Sequence, residues 1–109
     1  MAKTIEFNWK GTDYTLEYTR KTVKQMQANG FDIKEIDTKA TLVVPELFAG
    51  SFLAHHRGIK QEDINAIFNQ IVDKYGLTTK LIEMYNEPIA AMMADPEESE
   101  SNLTWKASF

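Results

Sequence analysis

A change in hydrophobic period near the start of the chain restricts what it can fold into. Over residues 4–18 apolar and polar side chains alternate, and the apolar set is Ile5, Phe7, Trp9, Tyr14, Leu16 and Tyr18. This alternation predicts two β-strands that share one apolar face. Residues 10–13 supply the turn, because Gly11 can take a positive φ. An isolated hairpin is marginal in water, so we expect the rest of the chain to cover its apolar face.

After the hairpin the apolar spacing becomes helical. Thr19 is a predicted N-cap for a helix over residues 20–29, and Gly30 follows where a left-handed C-terminal residue belongs. Residues 31–36 are predicted to form a third strand, and residues 37–44 a connection.

Two further helices are predicted in the middle of the chain. One covers residues 45–56, with Pro45 in its first turn, where a missing N–H costs nothing. The other covers residues 61–75 and ends at Gly76. Its apolar positions recur every three or four residues, and they are Ile64, Ile67, Phe68, Ile71, Val72 and Tyr75.

A fourth helix is predicted to begin near Thr78 or Thr79 and to end at Asp95. Pro88 should kink or break it, because proline lacks an N–H and clashes with the preceding turn. The predicted fold is therefore α+β: a globular domain over residues 1–94 with an N-terminal β-hairpin and a small helical bundle. An acidic linker over residues 95–102 and an apolar, strand-like strip over residues 103–109 follow it.

The C-terminal strip has two interpretations. Leu103, Trp105, Ala107 and Phe109 alternate with polar residues, which is the pattern of a strand. The strip could fold back as a last strand beside the hairpin. It could instead add a strand to the sheet edge of another protein.

Composition and charge narrow the function classes. Residues 1–94 carry 11 Lys/Arg and 12 Asp/Glu, whereas residues 95–100 carry four acidic residues and no basic one. A nearly neutral body with an acidic segment argues against binding to nucleic acid or to an anionic membrane. The chain contains no cysteine and no apolar run long enough to span a bilayer, so we expect a protein of the cytoplasm.

Candidate catalytic and metal-binding residues are few. His55 and His56 are adjacent, so on a helix their side chains point in different directions and cannot coordinate the same metal ion. Ser51 and His55 would need an acid and an oxyanion hole to act as nucleophile and base. Glu83 and Glu87 share a helix face and are expected to be solvated. We therefore predict no enzymatic activity, no metal and no cofactor.

The methionines of the fourth helix offer an adaptable apolar surface, although methionine at helical spacing is more often part of a core. The hypothesis for partner binding combines this helix with the C-terminal strip. Its residues are Met84, Tyr85, Met92, Met93, Leu103, Trp105 and Phe109.

Several segments resemble a family of small proteins from tailed phages and prophages of Gram-positive bacteria. They are residues 3–11 (KTIEFNWKG), 14–26 (YTLEYTRKTVKQM), 45–57 (PELFAGSFLAHHR), 81–89 (LIEMYNEPI) and 102–109 (NLTWKASF). Proteins of this kind resemble tail assembly chaperones.

The resemblance implies a function without catalytic residues. Such chaperones associate with the tape measure protein, are displaced by tail tube subunits as the tube polymerises, and often have a longer form made by ribosomal frameshifting. On this basis we expect the tape measure protein, the tail tube protein or both as partners in the cytoplasm of the bacterial host, with self-association as a further expectation. The alternative is a structural virion component, such as a minor tail or connector subunit.

Overall fold

The computed structural model describes residues 3–94 and 102–109, and its described part has α+β architecture. A two-stranded antiparallel sheet is followed by four helices and one short 3-10 helix, Ile33–Ile36, between the first two of them. The elements are β1 (Ile5–Trp9), β2 (Thr12–Leu16), α1 (Arg20–Ala28), α2 (Ala40–Gly50), α3 (Gln61–Gln70) and α4 (Lys74–Met93). The predicted α+β fold with an N-terminal hairpin and helices is confirmed.

The hairpin turn is shorter than predicted, because Thr12 and Asp13 belong to β2. Lys10 and Gly11 both have positive φ, 51° and 82°, which makes a two-residue turn whose twist matches the strands. Asn8 fixes this turn, because its Oδ1 accepts a hydrogen bond from the Gly11 amide at 3.2 Å. The resulting register places Phe7 opposite Tyr14 and Glu6 opposite Thr15.

Local capping sets both ends of α1. The Thr19 hydroxyl accepts from the Thr22 amide at 3.1 Å, and the Thr22 hydroxyl accepts from the Thr19 amide at 2.8 Å. This reciprocal pair satisfies two amides that the helix leaves unpaired. Gly30 follows the helix with φ 95°, as predicted.

One core joins the hairpin to all four helices. Its largest fully buried apolar side chains come from β2, α2, α3, α4 and the segment after α2, and α1 adds Val23 and Met26. The aromatic rings meet edge to face, as in the contacts of Phe52 with Phe48 and of Tyr85 with Tyr18. The buried Tyr18 hydroxyl donates to the Leu47 carbonyl, which ties the end of the hairpin to α2.

The predicted third strand over residues 31–36 is wrong. Ile33 and Ile36 lie one 3-10 turn apart, so both side chains pack on the same side against the core. The Asp32 side chain caps this turn by accepting from the Lys34 amide at 3.0 Å. A strand would have pointed the two isoleucines to opposite faces.

The predicted bounds of the second helix are also wrong. α2 begins at Ala40 and ends at Gly50, so Pro45 lies inside the helix and the apolar residues 42–44 belong to it. Proline removes one internal hydrogen bond, and α2 tolerates this because Val43, Leu47 and Phe48 are buried on one side.

The chain turns earlier than predicted between the last two helices. α3 ends at Gln70, and α4 begins at Lys74. Asp73 has φ 62°, and its carboxylate accepts from the Gly76 amide at 3.1 Å. A Cβ on Gly76 would lie 2.3 Å from Asp73 Oδ2, so this glycine permits the cap rather than ending the preceding helix.

Helix α4 passes through Pro88 without a break and ends at Met93. Pro88 is buried, so packing holds the helix together where one internal hydrogen bond is missing. The predicted helix stop at Asp95 and most of the predicted acidic linker lie outside the described residues.

Candidate protein-binding surface

Ser51 and His55 do not form a nucleophile–base pair. Ser51 is buried, and its hydroxyl donates to the Phe48 carbonyl inside the domain. His55 instead contacts Glu17, with 2.6 Å between Nε2 and Oε1. The hydroxyl is therefore occupied and closed to a substrate in this structure.

His56 has a structural position. Its Nε2 accepts a hydrogen bond from the Thr15 amide at 2.9 Å, and its ring lies 4.9 Å from that of Tyr14. In the part of the chain that the structure describes, no group of three or more His, Cys, Asp or Glu side chains could hold a metal ion.

Glu83 and Glu87 both bind one lysine. Lys3 Nζ lies 3.1 Å from Glu83 Oε1 and 3.3 Å from Glu87 Oε2. The hydrogen bond to Lys3 lowers the pKa of Glu83, and the hydrogen bond to Glu83 raises the pKa of Lys3. These contacts fasten the start of β1 to the exposed face of α4.

The seven predicted partner-binding residues fall into two groups. Met84 and Tyr85 lie in the core, where Tyr85 contacts Tyr18 and Phe31, so a partner cannot reach them in this structure. Met92 and Met93, at the end of α4, are 58% and 74% exposed. The remaining three, Leu103, Trp105 and Phe109, are also exposed.

The C-terminal strip, residues 103–109, forms neither a helix nor a strand. Trp105 keeps 85% of its surface exposed, and Leu103 keeps 93%. Across residues 3–94 and 102–109 the sheet contains only β1 and β2, so the strip does not fold back onto the hairpin as one interpretation predicted. The strip therefore presents large apolar side chains with no cover from its own domain.

Two surface features were missed by the sequence analysis. Val72, between α3 and α4, and Tyr75, at the start of α4, are exposed, although their spacing predicted a buried helix face. Beside them lies a groove of about 470 Å³ between the hairpin and the start of α4. No sequence signal could have revealed the groove, because it depends on how α3 and α4 meet the hairpin.

Among the described residues, no helix combines the length and the apolar character that crossing a membrane requires.

Comparisons with known proteins identify a family for the chain. Neither the curated proteins nor the solved structures give a significant match. A family model described as a domain of unknown function (DUF5055) matches residues 1–109, and the chain belongs to this family.

Proposed function

We propose that this protein is a non-enzymatic assembly factor that binds other proteins through its C-terminal strip. The observation that carries this proposal is the exposure of Leu103, Trp105 and Phe109. Several large apolar side chains exposed within one short segment are typical of an interaction site.

The resemblance to phage proteins supports a more specific proposal. The protein acts as a tail assembly chaperone in the cytoplasm of the bacterial host and binds the tape measure protein, the tail tube protein or both. A long helical client with apolar faces needs a binder with reversible apolar contacts. Met92 and Met93 suit such a client, because methionine side chains adapt to varied surfaces.

An affinity pull-down from cells that produce the phage tests this proposal. The full-length protein is compared with the variant L103S/W105S/F109S, which removes the apolar character of the strip without touching the core. The matched control is V72S/Y75S, which removes exposed apolar side chains between α3 and α4 and at the start of α4.

We expect the wild type and the control to enrich a tape measure or tail tube protein, and the strip variant to lose it. Equal recovery by all three proteins would show that the strip is not the binding site. Failure of the wild type to enrich either protein would refute the chaperone proposal.

The second candidate is a structural component of the virion, such as a minor tail or connector subunit, and its support is the same resemblance. Mass spectrometry of purified virions separates the two. A chaperone should be missing from the finished particle, whereas a structural subunit should be present at a fixed ratio to the tail tube protein.

A further inference from the structure

The two edges of the hairpin are unequal. At the β2 edge the Thr15 amide donates to His56 Nε2 at 2.9 Å, and the Glu17 amide donates to the Ser51 carbonyl at 3.0 Å. Other parts of the domain therefore occupy the outward amides at and just after the end of β2. An edge that is paired or covered in this way cannot accept another strand.

The β1 edge is open. Glu6 is the cross-strand partner of Thr15, whose amide donates outward to His56 and not to Glu6. The two residues therefore form a non-hydrogen-bonded pair, in which the main-chain groups point away from each other. Glu6 and, two residues on, Asn8 thus direct their amides and carbonyls to the outside of β1. Across residues 3–94 and 102–109, no hydrogen bond occupies these main-chain groups.

An apolar groove accompanies this open edge. Its walls include Ile5 and Phe7 of β1 together with Ile71 at the end of α3 and Leu77 in α4. An added strand could pair with β1 through its main chain and place alternate side chains in the groove. Strand addition uses this combination of an unpaired edge and pockets spaced two residues apart.

We propose that the C-terminal strip of a second copy of this chain adds to β1 as an antiparallel third strand. Charge selects the register, because Lys106 is the one charged residue of the strip and Glu6 the one charged residue of β1. Placing Lys106 opposite Glu6 puts Trp105 opposite Phe7, on the apolar side. Opposite charges and aromatic pairs across strands both stabilise a sheet.

The strip of the same chain does not fit this arrangement. β1 begins beside α4, where Lys3 binds Glu83 and Glu87, and it ends beside α3, where Trp9 Nε1 donates to Gln70 at 3.2 Å. Antiparallel pairing requires the strip to enter at the Trp9 end.

That entry point lies at the far end of α4, a helix of 20 residues and therefore about 30 Å long. The nine steps from Ala94 to Leu103 also span about 30 Å when fully extended. The linker of the same chain would have to be fully extended to cover the length of α4. It would then be too short to pass around the domain to the Trp9 end of β1.

The acidic residues at 95–100 favour the antiparallel direction, which the strip of the same chain does not reach. In the antiparallel arrangement the acidic segment of the second copy passes the hairpin turn, where Lys10 is exposed. Lys10 then attracts the incoming strand.

This self-association goes beyond the proposed function and does not depend on it. It joins two different surfaces, the strip and the β1 edge, so two copies can exchange strips or many copies can form a row. In either assembly the strip is covered until another partner competes for it.

Sedimentation velocity of the purified full-length protein, from micromolar to submillimolar concentration, tests the proposal. The variants are Glu6→Lys, Lys106→Glu and the double exchange. All of the altered positions are exposed, so the fold should persist. The matched control is Glu46→Lys, the same charge change on the exposed side of α2.

We expect the wild type to associate as its concentration rises. Each single reversal should weaken association by about three- to tenfold, because it replaces an attraction across the strands by a repulsion. The double exchange should restore association, and the control should leave it unchanged.

Hydrogen exchange at the Glu6 and Asn8 amides completes the test, since these amides should become protected only in the associated protein. A protein that stays monomeric with both amides protected would show that the strip docks on its own chain and overturn the proposal. A monomer with both amides unprotected would overturn it too. So would equal association of the wild type and the single charge-reversal variants. These outcomes come from purified protein, so they are independent of the pull-down.

Discussion

Replacement of Trp105 by alanine should leave the stability of the domain nearly unchanged. Trp105 keeps 85% of its surface exposed, and no core residue lies in the C-terminal strip. Surface changes of this kind usually alter the free energy of unfolding by less than about 0.5 kcal/mol. Phe48→Ala is the contrasting change, because Phe48 is fully buried and truncation of such a ring costs about 3–5 kcal/mol.

Urea unfolding at low micromolar concentration measures both effects on the unassociated protein. The chain has two tryptophans, so Trp9→Phe leaves Trp105 as the single indole reporter. We expect its emission to be that of a solvated indole in native buffer and to change little through the transition, while circular dichroism reports the unfolding itself. Trp105→Ala leaves Trp9, whose emission should follow the transition because this ring packs against the core.

Two results would refute the reasoning. A loss of more than about 2 kcal/mol in Trp105→Ala would show that the ring is part of the folded core. A large shift of the Trp105 emission on unfolding at low concentration would show that the strip is buried against its own domain.

Two further predictions concern the core. Gly50→Ala should lower the free energy of unfolding by about 1–2 kcal/mol, because the new Cβ would lie 2.4 Å from Met26 Cε and overpacking outweighs the gain in helix propensity. Urea unfolding should show that Met26→Ala relieves this penalty and that Gly58→Ala, with open space around its Cβ, shows none. The second prediction concerns alkaline pH, because burial raises the pKa of Tyr18 above its ordinary value. Above about pH 10 the unfolded chain loses this proton while the folded chain keeps it, so stability should fall with rising pH by up to about 1.4 kcal/mol per unit. Tyr18→Phe should reduce that slope, and an unchanged slope would contradict the assignment.

Patterns that depend on neighbouring residues were predicted well. The hairpin follows from period-two alternation around Gly11, and α1 follows from Thr19 at its start and Gly30 at its end. In each case the deciding interactions are hydrogen bonds or backbone angles within a few residues. The sequence contains both partners of such interactions, so it is sufficient to locate them.

Helix bounds in the second half were predicted less well, because tertiary packing decided them. Pro45 has the local preference of a first-turn residue, yet burial of Val43 and Leu47 holds α2 together on both sides of it. Val72 and Tyr75 continue the apolar period of α3, yet the chain turns at Asp73 and leaves both exposed. Hydrophobic periodicity predicts which residues can share a helix face. It does not show whether another element of the fold packs against that face.

The candidate binding surface was also only partly predictable from the sequence. The sequence alone determined that Leu103, Trp105 and Phe109 form an alternating apolar segment behind an acidic one. It could not separate Met84 and Tyr85, which are buried, from Met92 and Met93, which are exposed, because all four lie on one long helix. Only the tertiary structure decided this, and only it left the β1 edge open beside a groove. The physical reason is that exposure depends on where other elements pack, and contacts between residues far apart in the chain fix those positions.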